Sequence, residues 1–222
     1  MDSVLVVIVY THHKEYCRFL VPKIYDCLTW PNKELAFVEE KRYPEILRGV
    51  TGEDRAAAGR QIGIDIAREK NPDWLFFLDV DTEPEPDAIE KMLKVNHSLV
   101  GGLHAARGNP WHVIGHNYTD RKTLERVWLR REEMVGNPTV DGISGGHLLV
   151  ARGIYDRVDY SGYVGQSTIP NRFTGDDEFF EIQVFNSLKI RPKVCTDCRP
   201  WHYSDDGRAY RVWGEVKQWR AY

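Results

Sequence analysis

Five consecutive apolar residues at 74–78 (WLFFL) run directly into Asp79-Val80-Asp81, and prolines follow at 84 and 86. A run of this length and composition predicts a strand buried on both faces, which the prolines bring to an end. We therefore expect both aspartates at the carboxyl edge of a sheet, where open α/β folds bind ligands. Because residues i and i+2 of a strand project from the same face, both carboxylates should reach one bound object.

Two carboxylates held this close repel each other unless a cation lies between them. Oxygen ligands of this kind suit a divalent metal, which in turn would carry a phosphate. The alternative interpretation is a strand end followed by a polar turn, because aspartate is common where strands finish. Features elsewhere in the chain have to decide between the two.

The composition is that of a soluble globular protein, with 42% hydrophobic and 28% charged residues among 222. A formal net charge of −3 gives no support for a general nucleic-acid binder, which would carry a strongly basic face. The apolar residues 4–10 are too few to span a membrane and lack a cleavage site, so they predict a buried first strand. The expected compartment is the cytoplasm.

The first half of the chain alternates between strand-like and helix-like patterns, which predicts an α/β fold with a mostly parallel sheet flanked by helices. Strands are expected at 4–10, 35–38, 74–78 and 100–105, and helices at 14–28, 53–69 and 86–95. The second half is less regular: 107–139 is polar without a clear period and predicts a long loop. A strand at 140–150, a helix at 177–188 and an extended segment at 193–198 follow.

Three further features could carry chemistry, and each also has a structural interpretation. An acidic cluster, Asp176-Asp177-Glu178, opens a predicted helix, where acids often serve only as caps. His202 follows the last extended segment, and a lone histidine is usually structural or exposed. Arg55 and Arg60 lie on the helix before the acidic strand, where an exposed face is the alternative.

Taken in order, these features resemble the GT-A fold nucleotide-sugar-dependent glycosyltransferases, most closely the large inverting glycosyltransferase family 2. That family has a helix with an Arg-Asn pair and a Gly-Ile-x-x-Ala pattern, which residues 60–67 (RQIGIDIA) resemble, before a strand ending in Asp-x-Asp. Its later Gly-rich strand with an arginine resembles 142–152, its Gly-Glu-Asp segment resembles 175–177, and its late metal-binding histidine resembles His202. Two departures, Gln61 for asparagine and Asp176 for glutamate, affect substrate details more than the fold.

The resemblance implies a metal-dependent transfer of a sugar from a nucleoside-diphosphate sugar to an acceptor hydroxyl, with inversion. Asp81 and His202 would hold Mn²⁺ or Mg²⁺, the nitrogen ligand slightly favouring Mn²⁺, while Asp79 would bind ribose, sugar or metal-bound water. Asp177 would be the general base and Asp176 would orient acceptor or sugar hydroxyls. Arg60 would contact the diphosphate of the donor and Glu39 its base. Thr11 would lie near Glu39.

The resemblance covers residues 4–204 and implies one GT-A domain over 1–222. Residues 1–105 would form its nucleotide-binding half, 106–204 its acceptor and catalytic half, and 205–222 a tail. The donor would be UDP- or GDP-linked, and the acceptor a glycan, a protein or a lipid-linked molecule. As a helix, the aromatic and basic tail could contact an anionic membrane surface, but packing on the domain or on a partner chain is the preferred interpretation.

Two rival functions remain open. A haloacid-dehalogenase-type phosphatase also uses Asp-x-Asp after an apolar strand, but its nucleophile strand normally opens the domain, whereas several α/β elements precede Asp79. A catalytically inactive GT-A-like binding module is the other rival. Intact acidic residues at 79, 81 and 177, together with His202, argue against it.

Overall fold

The computed structural model describes residues 1–10, 17–48, 50, 52–106, 108–163 and 175–219. Six α-helices occur in these ranges: α1 (Cys17–Cys27), α2 (Pro44–Leu47), α3 (Gly52–Lys70), α4 (Ala88–Lys94), α5 (Arg152–Tyr155) and α6 (Asp176–Leu188). Short 3-10 helices lie at Arg131–Glu133 and Val212–Gly214.

The strands of the same ranges begin with β1 (Val4–Val9), β2 (Lys33–Val38), β3 (Trp74–Asp79), β4 (Thr82–Glu83), β5 (Leu99–Gly102) and β6 (Ala105–Ala106). They continue with β7 (Asn109–Val113), β8 (Gly115–Asp120), β9 (Glu125–Trp128), β10 (Gly142–Ile143) and β11 (His147–Ala151). The last are β12 (Lys193–Cys195), β13 (Trp201–Tyr203), β14 (Arg208–Arg211) and β15 (Glu215–Gln218).

The central sheet has six strands in the order β12-β5-β11-β3-β1-β2. Its β1 pairs in parallel with β2 and β3, and β12 pairs in parallel with β5, whereas β11 runs antiparallel to both of its neighbours. The expected α/β architecture with a mostly parallel sheet is therefore confirmed, and β11 is the antiparallel exception.

The central strands are buried on both faces because successive side chains alternate between two hydrophobic clusters. In β3, Leu75 and Phe77 pack in the cluster that includes α3, α5 and α6, whereas Phe76 and Leu78 pack in the cluster that includes α1 and α4. Helix α3 comes especially close to the sheet at Gly63, where an added Cβ would lie 2.8 Å from Val7 Cγ1. A glycine at this position therefore allows α3 to pack directly on the sheet.

The structure corrects the expectation of a long loop over 107–139, because β7, β8, β9 and the first 3-10 helix form there. The hairpin β8–β9 exposes one face and contains a register shift at Tyr118–Asp120. Its sequence therefore lacks the regular alternation by which strands are recognised.

Three other predicted segments also differ. The single strand expected at 140–150 is divided into β10 and β11 by residues 144–146, and the extended segment at 193–198 turns after Cys195. The tail over 208–218 is a β-hairpin, β14–β15, that pairs with β13. The hairpin packs on the domain, which agrees with the preferred interpretation of the tail. It is not the helix through which a membrane contact was considered. No helix of the described residues has the length and apolar character needed to cross a membrane.

Candidate active site

The carboxyl ends of β1, β2 and β3 lie at one level of the sheet, since Val9 is paired with both Val38 and Asp79. Glu39 therefore follows directly at this edge, where its Oε1 lies 3.3 Å from Arg42 Nε. Thr11, expected beside it, lies outside the described residues. The edge is the place at which the sequence predicted a nucleotide site.

The structure separates the two aspartates of the Asp-x-Asp motif. Asp79 is the last residue of β3, and its Oδ1 accepts a hydrogen bond of 2.8 Å from Arg60 Nη2. Asp81 lies in the turn beyond the strand, is fully buried, and approaches His202. The expectation that both would point to one side as strand residues is therefore wrong, because the strand ends at Asp79 and its periodicity ends there too.

Arg60 joins two parts of the chain that are far apart in sequence. Its Nη1 donates to Asp176 Oδ2 and its Nη2 to Asp79 Oδ1, and only 4% of the side chain is exposed. Burial lowers the pKa of Arg60, but Asp176 and Asp79 more than compensate and raise it well above its usual value. Arg60 is therefore a buried cation bracketed by two carboxylates, with both terminal nitrogens already engaged.

The pKa of Asp176 is raised to about 7, chiefly by burial. The Asp177 and Asp79 carboxylates add to this rise, and Arg60 opposes it. Asp176 is thus enclosed at the start of α6 and is held by Arg60.

Glycines at 145 and 146 let this cluster form. A Cβ at Gly146 would lie 2.5 Å from Asp79 Oδ2, and one at Gly145 would lie 3.0 Å from Asp177 Cβ. Gly146 also accepts a backbone hydrogen bond of 3.0 Å from Asp79 N. The chain entering β11 therefore runs directly against the acidic residues, where side chains larger than hydrogen would displace them.

Asp177 stands at the amino end of α6 and is only half-buried, unlike Asp176. Its Oδ2 accepts a hydrogen bond of 3.3 Å from Gly145 N, and its Oδ1 accepts one of 2.8 Å from Glu178 N. Backbone N–H groups at a helix start favour a negative charge. The side chain of Asp177 is thus held by two backbone N–H groups and remains partly exposed.

Asp81 and His202 form the second half of the site. Asp81 directly precedes β4 and His202 lies in β13, and these are neighbouring strands of a small sheet in the order β15-β14-β13-β4. His202 Nε2 lies 3.6 Å from Asp81 Oδ2, and His202 Nδ1 lies 2.9 Å from the carbonyl oxygen of Ala105. A carbonyl oxygen only accepts, so Nδ1 carries the proton and the lone pair of a neutral ring is on Nε2, facing Asp81. Such a carbonyl contact is the usual way to orient a metal-binding histidine.

The residues of this pair fit a divalent metal, although the described residues contain no group of three or more His, Cys, Asp and Glu side chains arranged to hold one. One carboxylate oxygen and one imidazole nitrogen are ligands that Mn²⁺ accepts, and such ions commonly complete their shell with substrate phosphates and water. Asp79, also expected near the metal, forms an ion pair with Arg60.

Two buried histidines beside this pair were not predicted as part of the site. The ring of His104 lies 4.4 Å from that of His202, and its Nδ1 lies 2.9 Å from Ser144 Oγ. His147, the first residue of β11, has no hydrogen-bond partner on either ring nitrogen within the described ranges, and burial lowers its pKa to about 3. Their only sequence signal was their position in predicted strands, His104 near the end of 100–105 and His147 within 140–150.

The fold and site define an α/β domain of the nucleotide-sugar-binding GT-A type. The model of glycosyl transferase family 2 matches residues 35–159, more than half of the chain. The chain belongs to this glycosyltransferase family. No curated protein matches the chain.

Solved structures of similar fold include A197 from STIV, with a TM-score of 0.61 at 15% identity, covering 99% of this chain and 95% of that one. GalNAc-T7, crystallised with UDP, GalNAc and Mn²⁺, has a TM-score of 0.55 at 14% identity. That match covers 99% of this chain but only 45% of GalNAc-T7. At these identities the likeness concerns the fold.

Proposed function

We propose that the protein transfers a sugar from a nucleoside-diphosphate sugar to an acceptor hydroxyl with inversion at the anomeric carbon. The observation that carries the proposal is the cluster at the carboxyl edge of the sheet. There Arg60 ties Asp79 to the start of α6, which presents Asp177, while Asp81 faces His202 in the adjoining turn. Family membership supports nucleotide-sugar chemistry, and the cluster supports the individual roles.

Glu39 and Thr11 would contact the nucleoside, and Asp79 would contact ribose or the donor sugar. Asp81 and His202 would hold Mn²⁺ or Mg²⁺, which when bound would stabilise the negative charge that grows on the departing diphosphate. The GalNAc-T7 structure holds UDP, GalNAc and Mn²⁺, which makes UDP-sugars the first donors to test. GDP-sugars remain alternatives, and transfer of a hexose is the expected activity.

We assign Arg60 and Asp176 to positioning, which revises the roles that the resemblance implied for them. Diphosphate contact by Arg60 would require a side chain that is free, whereas both terminal nitrogens of Arg60 are engaged by carboxylates. Asp176 is buried against the same guanidinium and is poorly placed to orient an acceptor. Together they would keep Asp79 and Asp177 at a fixed separation while substrates exchange.

Asp177 would remove the proton of the acceptor hydroxyl. As the acceptor oxygen attacks the anomeric carbon, the bond from that carbon to the diphosphate oxygen breaks, and its electron pair leaves with the nucleoside diphosphate. The proton passes to the Asp177 carboxylate, whose orientation the N–H groups of Gly145 and Glu178 maintain. Attack opposite to the leaving group inverts the configuration.

The experiment is Asp177→Asn, which preserves shape but removes the base. We expect transfer to fall by about a hundredfold or more, with Mn²⁺-dependent UDP binding retained. Asp156→Asn is the matched control, an exposed acid after α5, near the opposite edge of the sheet. Loss of UDP binding in Asp177→Asn would show that Asp177 has been misassigned, and unchanged transfer would exclude it as the base.

The single domain over 1–222 and the cytoplasmic location remain predictions. A peripheral membrane contact by the tail also remains a prediction, but it would have to use the β14–β15 hairpin and not a helix. A catalytically inactive binding module would bind UDP and Mn²⁺ without releasing nucleoside diphosphate from any donor. A phosphatase of the haloacid-dehalogenase type would hydrolyse p-nitrophenyl phosphate and lose that activity in Asp79→Asn.

A further inference from the structure

The hairpin β8–β9 presents one face whose side chains point toward α6. His116 is paired with Trp128 and Tyr118 with Arg126 across the two strands, so all four share that face. The ring of His116 lies 5.0 Å from that of Tyr118 and 5.4 Å from that of Trp128. We call these four residues the hairpin face.

The hairpin face is joined to the helix that carries Asp177. Tyr118 Oη donates a hydrogen bond of 2.8 Å to Glu178 Oε1, and Arg126 Nη2 lies 3.2 Å from the same oxygen. Gly142 on β10 makes room for the His116 ring, because a Cβ there would lie 2.2 Å from His116 Cε1. The hairpin face therefore stands beside the start of α6, at the position next to the proposed base.

The charges that act on His116 also indicate that its ring lies close to the start of α6. Burial lowers the pKa of His116 and Arg126 lowers it further, while the carboxylates of Glu178 and Asp177 act in the opposite direction. Asp177 is therefore close enough to act on the ring at the centre of the hairpin face. Trp128 remains accessible at the outer end, with 41% of its surface exposed and the His112 ring 4.7 Å away.

We propose that the hairpin face is the acceptor subsite and that the acceptor is a neutral saccharide. This rests on the proposed function, since it assumes that Asp177 accepts a proton from the acceptor. A sugar ring offers C–H groups on its face, which suit the exposed indole of Trp128, and hydroxyls at its rim, which suit the partly exposed guanidinium of Arg126. His116, neutral and 5% exposed, has a ring nitrogen without a partner among the described residues.

The charge of the hairpin face favours a neutral acceptor over a phosphorylated one. Arg126 is its cation, and Glu178 already neutralises it at 3.2 Å. Asp141, behind His116, is likewise paired with Arg121 and Arg191. An anionic lipid phosphate placed here would be repelled by the carboxylates of Asp177 and Glu178. The described side chains of the hairpin face include no unpaired cation that could offset this repulsion.

The experiment compares Trp128→Ala with Val127→Ala. Val127 is the preceding residue of β9, is 51% exposed, and points to the opposite side of the hairpin. Release of nucleoside diphosphate from the best UDP- or GDP-sugar is measured without acceptor, and then with neutral p-nitrophenyl glycosides, a Ser/Thr peptide or a polyprenyl phosphate. In the wild-type chain we expect only glycosides to accelerate the release.

Trp128→Ala should raise the KM for the accelerating glycoside by about tenfold relative to Val127→Ala. Val127→Ala should match the wild type, and Trp128→Phe should recover most of the affinity. The proposal is overturned if no glycoside accelerates release, if only the peptide or the polyprenyl phosphate does, or if the two alanine variants behave alike. Absence of any acceptor-free hydrolysis would instead count against the proposed function.

Discussion

Replacement of Gly146 by alanine tests whether the fixed position of Asp79 matters for the reaction. The added Cβ would lie 2.5 Å from Asp79 Oδ2, 2.9 Å from its Cγ and 3.2 Å from its Cβ. Asp79 N is held at 3.0 Å by the carbonyl oxygen of Gly146, so its backbone has little freedom to retreat. The carboxyl group must therefore move by about 1 Å, away from Arg60.

Overpacking of this kind costs about 1–3 kcal/mol of unfolding free energy. The moved carboxylate also gives up its 2.8 Å bond to Arg60 Nη2, which leaves a buried guanidinium with one partner fewer. With a urea m-value of about 2 kcal/mol per M, a loss of about 2 kcal/mol shifts the unfolding midpoint by about 1 M. Misplacement of a substrate-contacting group by about 1 Å lowers turnover by about a hundredfold.

Gly153→Ala is the matched control. Gly153 lies in α5, and a Cβ there meets nothing within 4 Å. Because alanine has the higher helix propensity, this variant should gain up to about 1 kcal/mol and keep its activity. Urea unfolding and nucleoside diphosphate release would be measured for both variants. If Gly146→Ala keeps wild-type stability within about 0.5 kcal/mol and turnover within about twofold, the positioning argument is refuted.

Two further substitutions test the buried charges. Arg60→Lys keeps the positive charge but replaces the planar guanidinium, which binds two carboxylates, by a single ammonium group. We expect the unfolding free energy measured in urea to fall by about 2 kcal/mol and turnover to fall by a larger factor. An unfolding free energy and a turnover equal to those of the wild type would show that the two ion pairs are dispensable. His147 has a folded pKa of about 3, below its unfolded value, so its contribution to stability is full above pH 6.5 and is lost as the pH falls toward 3. His147→Phe should therefore reduce the loss of unfolding free energy between pH 7 and pH 4 by up to about 3 kcal/mol, and a pH dependence equal to that of the wild type would contradict this.

The central part of the fold was predictable because burial imposes regular patterns on it. The apolar runs of β1 and β3 and the helical spacing within α3 each reflect contacts with a neighbouring layer. The hairpin β8–β9 lacked such a pattern, since its polar and aromatic residues face α6 or solvent. Its pairing depends on partners that only the folded chain brings together.

The sequence offered candidate residues for the site but not the contacts between them. Asp79, Asp81 and Asp177 were proposed from the resemblance to the family, whereas the ion pairs of Arg60 join residues up to 116 positions apart. A single sequence gives no direct sign of such contacts. The sequence likewise did not show that Asp79 and Asp81 lie in different environments, because this depends on the residue at which β3 ends.

Nucleoside diphosphate release from a panel of UDP- and GDP-sugars tests the central claim most directly. It would be measured with Mn²⁺ and with EDTA, for the wild-type chain and for Asp81→Asn, with thermal melts to establish that the variant folds. We predict release from one donor class in Mn²⁺, none in EDTA, and a loss of about a hundredfold or more in Asp81→Asn. No release from any donor, or equal release in EDTA and in Asp81→Asn, would contradict a metal-dependent glycosyltransferase.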